Sequence, residues 1–337
     1  MTATALIDLS NGRIRPELLA QVSDEVAQVE SELARQMHSQ VEMVKNVSHH
    51  TLDAGGKRLR PAFVALSAKA TGLPYDEERT RKIGACMEMI HMATLIHDDV
   101  IDNSATRRGR ETASAVYGNT GSILAGDVLL AKAMRILAED GDLAIIKTTS
   151  ESVVEMAEGE VRELETRLQF DLDEETHLEI LRLKTASFIQ CCCEVGALIT
   201  GAPKEISEAL RDYGHHVGMA FQIVDDLLDY RGDKAKTGKP VATDFREGQA
   251  TLPLIFLRDK MSEQEASVAR QKFGAGVSDD EIRMISDWMA TRGSYEQAEQ
   301  RALEHLQKAL AALALLPESS ERDLLETVAH YVIRREL

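Results

Sequence analysis

A five-residue pattern, Asp-Asp-x-x-Asp, occurs twice in this chain, as Asp98-Asp99-Val100-Ile101-Asp102 and as Asp225-Asp226-Leu227-Leu228-Asp229. The chain has 23 aspartates in 337 residues. At that frequency about 0.1 such matches arise by chance, so a pair carries information. On a helix the first and last aspartate of each pattern are four residues apart and share a face. Bare like charges so placed repel by on the order of 0.2–0.5 kcal/mol. Apolar residues lead into both patterns, Ala93-Thr94-Leu95-Ile96 and Phe221-Gln222-Ile223-Val224. That implies partial burial, where an unpaired carboxylate costs more. Carboxylate oxygens without a Cys or His pair suit a hard cation, Mg2+ above all. Mg2+ takes one or two carboxylates and completes its shell with water and substrate phosphates. Two such clusters facing each other predict a metal-bridged diphosphate site.

The formal charge is −17, which argues against nucleic acid as a partner. A field of that sign also repels a diphosphate, so local cations must bind it. The densest basic groups are Lys57-Arg58-Leu59-Arg60, after the Gly55-Gly56 turn, and Arg107-Arg108-Gly109-Arg110, just past Asp102. A glycine pair lets backbone approach an anion, and Lys with Arg supplies charge-assisted hydrogen bonds. Taken singly, the first group also fits a solvated turn, and the second fits structural pairing with the aspartates. Two separate clusters would suit two diphosphates. The cysteines, Cys86 and Cys191-Cys192-Cys193, show no C-x-x-C spacing and read as reduced thiols in a cytosolic protein. No signal peptide and no apolar stretch of membrane-spanning length is evident.

Helices must position these groups. No proline lies between Pro74 and Pro203, and Ala, Leu, Glu and Met are plentiful. The pattern predicts an all-α protein, with helices over about 16–48, from Pro61, and over 77–103, 121–138, 143–169, 174–200 and 204–230. Each aspartate cluster falls near a helix end. Residues 1–12 read as frayed, 104–111 as a basic loop, 231–249 as a polar loop, and 251–337 as several shorter helices. With no linker and no repeat, the simplest organisation is one domain, residues 1–337, packed antiparallel around a central cavity.

Other polar residues are ambiguous alone. Lys184-Thr185 and Lys239 are ordinary surface types. His91 lies two turns before Asp98 on the same face. Glu88 and His91 have the E-x-x-H spacing of a di-iron site, but the only candidate partner, Glu174 to His177, sits in a polar helix start. His215-His216 read as core or surface. Met87, Met89 and Met92 line a core or, beside a cavity, an apolar tunnel.

The motifs together resemble one family. In order they are Gly55 through Pro61, His97 through Asp102, Arg107-Arg108-Gly109, Ala125-Gly126-Asp127, Gly159-Glu160, Lys184-Thr185, Phe221 through Asp226, Thr237-Gly238-Lys239 and Thr251-Leu252-Pro253-Leu254. This series resembles the trans-polyprenyl diphosphate synthases, which elongate isoprenoid chains head to tail. The resemblance implies an all-α bundle of the isoprenoid synthase type, a homodimer, and membrane contact limited to product release. Three Mg2+ would bind per active site with substrate, two on Asp98 and Asp102 and one on Asp225. Arg107, Lys184 and Lys239 would hold the allylic diphosphate with the metals. Lys57, Arg60, His91 and Arg108 would hold isopentenyl diphosphate without metal. Gln222 and Thr185 would border the reacting carbons. The chain departs from many relatives at Gln249, where they carry lysine.

Two rivals are distinguishable. A class I terpene cyclase mixes Asn, Ser or Thr into its second metal motif and needs no second diphosphate site. A non-catalytic subunit of a heteromeric synthase should have lost metal carboxylates, and this chain keeps both sets. Product length is expected from the helix before Asp98. Ala93 and Thr94, then Ile90 and Met87, lie along it, and in short-chain relatives a bulky aromatic often stands at one of the first two positions. Both are small here, so a long product of about seven to ten isoprene units is expected from the resemblance, as in quinone side-chain precursors. Farnesyl or geranylgeranyl diphosphate is the shorter alternative.

Overall fold

The structure, a computed structural model, describes residues 16–56, 58–232 and 241–334. Lys57, Lys239 and the fraying expected at residues 1–12 lie outside the described residues. The described part is all-α apart from one hairpin of two two-residue strands, as the composition leads one to expect. In order come α1 (Pro16–Gln36), α2 (Glu42–Asp53), α3 (Leu59–Ala70), α4 (Glu77–Ile101), β1 (Thr106–Arg107), β2 (Arg110–Glu111), α5 (Ala113–Tyr117), α6 (Asn119–Asp140) and α7 (Leu143–Thr166). Then follow α8 (Glu174–Leu181), a π turn (Arg182–Ala186), α9 (Ser187–Ile199), α10 (Lys204–Arg231), α11 (Thr243–Glu247), α12 (Leu252–Arg258), α13 (Glu263–Lys272), α14 (Asp279–Thr291), α15 (Ser294–Leu313) and α16 (Ser320–Arg334).

The chain groups into two compact units: residues 1–149, 192–208 and 316–325, and residues 150–191, 209–315 and 326–337. In the first, α4 is the central helix. Residues 83 to 90 are all buried on it, so it is covered on every side. It packs against α6, α3 and α1. Asp76 caps it, accepting from the Arg79 backbone N–H at 3.0 Å. The Arg79 guanidinium then forks onto Asp140 at 2.7 and 2.9 Å and reaches Asp142 at 3.0 Å, tying the start of α4 to the end of α6. The other end is set by Gly126: a Cβ there would lie 2.4 Å from His97 Nε2, so only glycine lets α6 approach the residue preceding Asp98 this closely.

The second unit packs around Ile223, Leu227, Phe245, Leu254, Leu257, Met289 and Ala298. Phe273 stacks edge-on with Phe170 and Phe245, at centroid distances of 5.6 and 5.3 Å. Ser262 with Glu265 and Ser278 with Glu281 form capping boxes that start α13 and α14.

Several boundaries differ from the sequence-based expectation. The helix expected over 16–48 is two helices. Between them the Ser39 hydroxyl accepts from the Val41 N–H at 3.2 Å, a local bond that competes with the helical ladder. The basic loop contains the β1–β2 hairpin, and α11 interrupts the polar loop. The helix expected over 174–200 is broken by the π turn, which carries Lys184 and Thr185. Such turns recur at functional sites. Two glycines bring neighbours onto it: a Cβ at Gly159 would lie 2.7 Å from the Lys184 N, and one at Gly218 would lie 2.6 Å from the Ala186 Cα.

Candidate active site

In the first unit, Asp98 and Asp102 end α4 one turn apart, and the Asp102 N–H donates to the Asp98 carbonyl at 2.8 Å. Asp98 is half-buried and Asp102 exposed. Asp99 between them is buried and accepts from Arg107 Nε at 2.7 Å. The first motif thus separates into a structural carboxylate and two that reach solvent.

Arg107 belongs to the hairpin, which turns through Arg108 and Gly109 at positive φ. Arg108 donates to the Gly55 carbonyl, Arg110 donates to the Asp53 carbonyl at 2.8 Å, and His50 Nε2 meets the Glu111 carbonyl at 2.7 Å. Cations satisfying the last carbonyls of α2 are favourable in their own right. They also bring the two basic clusters, about fifty residues apart, to one place. A Cβ on Gly56 would lie 3.0 Å from Arg58 Nη1 and 3.2 Å from Arg108 Nη1. This is the close approach that the glycine pair permits.

Within this cluster the arginines divide by role. Arg58 is buried at a left-handed backbone position and donates to Glu88 at 3.1 Å, Glu30 at 3.0 Å and the Leu52 carbonyl at 3.1 Å. It is held by the protein. Arg60 is half-buried and its buried Nε has no partner among the described residues. Burial pushes its pKa down, and the Glu88 carboxylate only partly offsets this. His91 is held well below its usual range, first by burial and then by the fields of Arg60, Arg108, Arg107 and Arg58. A neutral imidazole amid four guanidiniums, one with an unmet donor, is a site for a multiply charged anion. Along α4, Met87 and Ile90 are fully buried and Ala93 is 2% exposed, while Thr94 Oγ1 donates to the His91 carbonyl at 2.8 Å.

In the second unit, Asp225 is exposed on α10. Asp226 is buried and bonded to His177 Nε2 at 3.0 Å. The middle aspartate is again the structural one. Gln222 Nε2 donates to Asp226 Oδ1 at 3.3 Å, and Thr185 Oγ1 donates to Gln222 Oε1 at 3.1 Å. Two residues expected near the reaction are therefore in direct contact. Lys184 Nζ pairs with Glu160 at 2.8 Å and with Glu163. Against the effect of burial, those carboxylates raise its pKa, so it is a fixed cation. Asp229 accepts from the N–H groups of Thr243 and Asp244 at 3.1 and 3.0 Å, and so organises α11. Gln249 follows α11, its N–H donating to the Asp244 carbonyl at 2.8 Å.

Two residues, Asp244 and Glu163, escaped the sequence reading, and a third, His177, was met there only as half of a di-iron spacing. Asp244 is held well above the usual carboxylate range by burial and by the charges of Asp229, Asp226, Glu163 and Asp225, and Asp229 is raised by burial and by Asp226 against the hydrogen bonds from Asp244 and Thr243. Glu163 and His177 complete the polar neighbourhood. No sequence spacing marks Asp244, whereas Glu163 follows Gly159-Glu160 by one turn.

These donors fit a hard divalent ion. They are oxygens, Asp98, Asp102 and Asp225 reach solvent, and the second unit crowds carboxylates that would favour a cation among them. Among the described residues no group of three or more His, Cys, Asp or Glu side chains is placed to hold a metal ion by itself.

The sequence of residues 13–287 matches the family model described as polyprenyl synthetase. The chain is 36% identical over 320 residues to the octaprenyl diphosphate synthase of Escherichia coli (strain K12), covering 95% of this chain and 98% of that one. It is 36% identical over 315 residues to heptaprenyl diphosphate synthase component 2 of Geobacillus stearothermophilus, covering 94% and 97%. Its structure resembles that of a polyprenyl synthase from Caulobacter crescentus solved with calcium and isoprenyl diphosphate. The TM-score is 0.89 at 33% identity, covering 100% of this chain and 98% of that one. The chain belongs to the polyprenyl synthetase family and is a trans-polyprenyl diphosphate synthase, a chain-elongating prenyltransferase.

Proposed function

We propose that this chain condenses isopentenyl diphosphate with an allylic diphosphate to give an all-trans product of about seven to ten isoprene units, as a single catalytic domain. The observation that carries this is the arginine cluster around His91, with Asp98 and Asp102 on the same helix. Octaprenyl and heptaprenyl relatives, each matched over more than nine-tenths of both chains, support the product range.

Asp98, Asp102 and Asp225 are the carboxylates that would hold Mg2+, which supplies Lewis-acid stabilisation of the charge on departing pyrophosphate. Arg107 and Lys184 add fixed positive charge to the allylic diphosphate. Lys239 is assigned with them from the sequence. Arg60, Arg108 and His91, with Lys57 from the sequence, hold isopentenyl diphosphate. The neutral imidazole gives a hydrogen bond without adding charge. Thr185 and Gln222 border the reacting carbons and present oxygen lone pairs. Buried Met87, Ile90 and Ala93, with Thr94, line the path of the growing chain and exclude water from the allylic cation. No side-chain base is needed if released pyrophosphate takes the proton.

A homodimer is the assembly proposed. Val154, Val161 and Leu164 are 45–56% exposed on one face of α7, an apolar stripe suited to a second copy. A component 2 relative gives the rival reading, a heteromer. The cytosol is the compartment proposed. Among the described residues no helix is long and apolar enough to cross a membrane. Pyrophosphate release from isopentenyl diphosphate plus an allylic primer, with Mg2+ and with a chelator, tests the function. Release only with Mg2+ supports it. Release from the allylic substrate alone would point to a cyclase.

A further inference from the structure

The polar chain behind the π turn has a member with no part in the reaction as described. His177 lies on α8, seven residues before Lys184, and is 4% exposed. Its Nε2 is 3.0 Å from Asp226 Oδ2, and Asp226 is 5% exposed. The other oxygen of Asp226 accepts from Gln222, whose carbonyl accepts from Thr185. We infer that His177 is a positioning residue for the condensation: through Asp226 it fixes the orientation of the Gln222 amide and the Thr185 hydroxyl. This inference rests on the elongating activity proposed above.

The argument is one of donor and acceptor bookkeeping. A carboxylate accepts and does not donate. His177 must therefore offer Nε2–H to Asp226, and Gln222 must offer its NH2. The Gln222 carbonyl is then forced toward Thr185, whose only proton goes to it. The direction of every bond follows from the buried carboxylate, so the amide cannot flip without breaking two bonds. The Thr185 oxygen is left with lone pairs and no proton to turn elsewhere. Asp226 keeps this arrangement only while both its oxygens are met, because a buried carboxylate with an open side draws the nearest donor. Gln222 is the donor already on it, and Thr185 is bonded to Gln222. His177 also joins α8, which runs directly into the π turn, to α10, which carries Gln222 and Asp225. The turn is pressed by Gly159 and Gly218 from α7 and α10, and His177 supplies the polar link that sets its register against α10.

The test uses the full-length protein with isopentenyl diphosphate, an allylic primer and Mg2+. His177→Leu removes the donor at similar bulk, and His177→Gln restores an N–H near the Nε2 position. Ile180→Ala, buried on the same helix, reports what lost packing alone does. His177→Leu should lower kcat about 10- to 100-fold with both KM values changed less than about threefold, as expected for misplacement at the reacting centre. His177→Gln should recover most of that loss, and Ile180→Ala should lower the melting temperature without it. The double variant His177→Leu/Gln222→Ala should be no slower than Gln222→Ala alone, because both remove one arrangement. The inference is overturned if His177→Leu keeps wild-type kcat, if the Gln variant is as slow as the Leu variant, or if the two losses multiply. A wild-type protein that makes no elongated product overturns the functional reading instead, and the inference with it.

Discussion

Arg107 and Asp99 are joined by a 2.7 Å ion pair inside the first aspartate motif, with the carboxylate 8% exposed. The second motif repeats the arrangement with His177 on Asp226. Each motif therefore uses its middle aspartate to hold a neighbouring segment in place. Asp98 and Asp102 in one, and Asp225 in the other, remain on the solvent side.

Exchange of the outer and of the middle aspartates should differ in what each does to folding. Asp98→Asn and Asp225→Asn should lower turnover by about 100-fold or more, a loss of at least about 2.7 kcal/mol of transition-state stabilisation. Their melting temperatures should hardly move, since partly exposed positions contribute little to folding. Asp226→Ala should cost about 1–3 kcal/mol of stability, because it leaves the buried His177 donor unmet, and Asp99→Ala should cost less, because the Arg107 side chain is 36% exposed and water can meet it. Calorimetry beside steady-state rates checks both. A variant at Asp98 or Asp225 that keeps more than about a tenth of the rate at saturating Mg2+ contradicts the metal assignment.

The unmet Nε of Arg60 predicts a substrate-specific defect. Arg60→Ala should raise the KM for isopentenyl diphosphate at least about tenfold, near the value of one charge-assisted hydrogen bond. The KM for the allylic primer should stay within about twofold. Equal changes in both constants would show that Arg60 does not discriminate between the diphosphates.

Arg58 and Glu88 are each 4% exposed at the side chain and 3.1 Å apart. Glu88→Ala removes one of the two carboxylates on the buried Arg58, Glu30 remaining at 3.0 Å, and should destabilise the protein by about 1–3 kcal/mol. Denaturant melts measure this. A change under about 1 kcal/mol would mean that solvent reaches the guanidinium.

A cluster of three imidazoles should make stability depend on pH. His216 and His305 meet with Nδ1 atoms 3.1 Å apart, and His215 stacks edge-on with His216. Burial first, then neighbouring imidazoles and Lys308, push His216 down to about 4 and His305 to about 3. In the unfolded chain both titrate near 6.5. The unfolded state therefore binds protons first as the pH falls. The contribution of these residues is whole above about 6.5 and is lost from there down toward 4 and 3. The double variant His216→Gln/His305→Gln should show a shallower fall in melting temperature between about pH 6.5 and 4, because the carboxylate contribution is common to both proteins. Parallel curves would contradict the assignment.

Ala93 sits 2% exposed on α4, one turn from His97 and Asp98. Ala93→Tyr should close the path of the growing chain and shorten the product to three or four units. It should cost about 1–3 kcal/mol in stability from overpacking. A chromatographic ladder that is unchanged would place the chain path elsewhere.

The all-α class was legible because helix formers dominate and proline is absent over the central stretch. The aspartate motifs were legible because chemistry demands their spacing. The split of each motif was not, since burial of Asp99 and Asp226 depends on Arg107 and His177, which only the fold brings near. The same holds for Lys184, which the sequence marks as a cation but whose carboxylates, Glu160 and Glu163, come from another helix. The π turn left no trace in periodicity because one inserted residue shifts the pattern by less than a turn. The break after α1 was missed because apolar spacing continues across it, while a single serine hydroxyl interrupts the ladder. Arg58 could not be told from Arg60 in the sequence: both lie in one basic run, and only burial shows that one is held by Glu88 and the other has an open donor.

The most direct test is the product ladder of the purified wild-type chain, supplied with isopentenyl diphosphate, an allylic primer and Mg2+ and no other protein. The account predicts an all-trans ladder ending at about seven to ten isoprene units, lost when the metal is chelated. A ladder ending at three or four units would contradict the long-chain assignment, and no condensation without an added partner subunit would contradict a self-sufficient synthase.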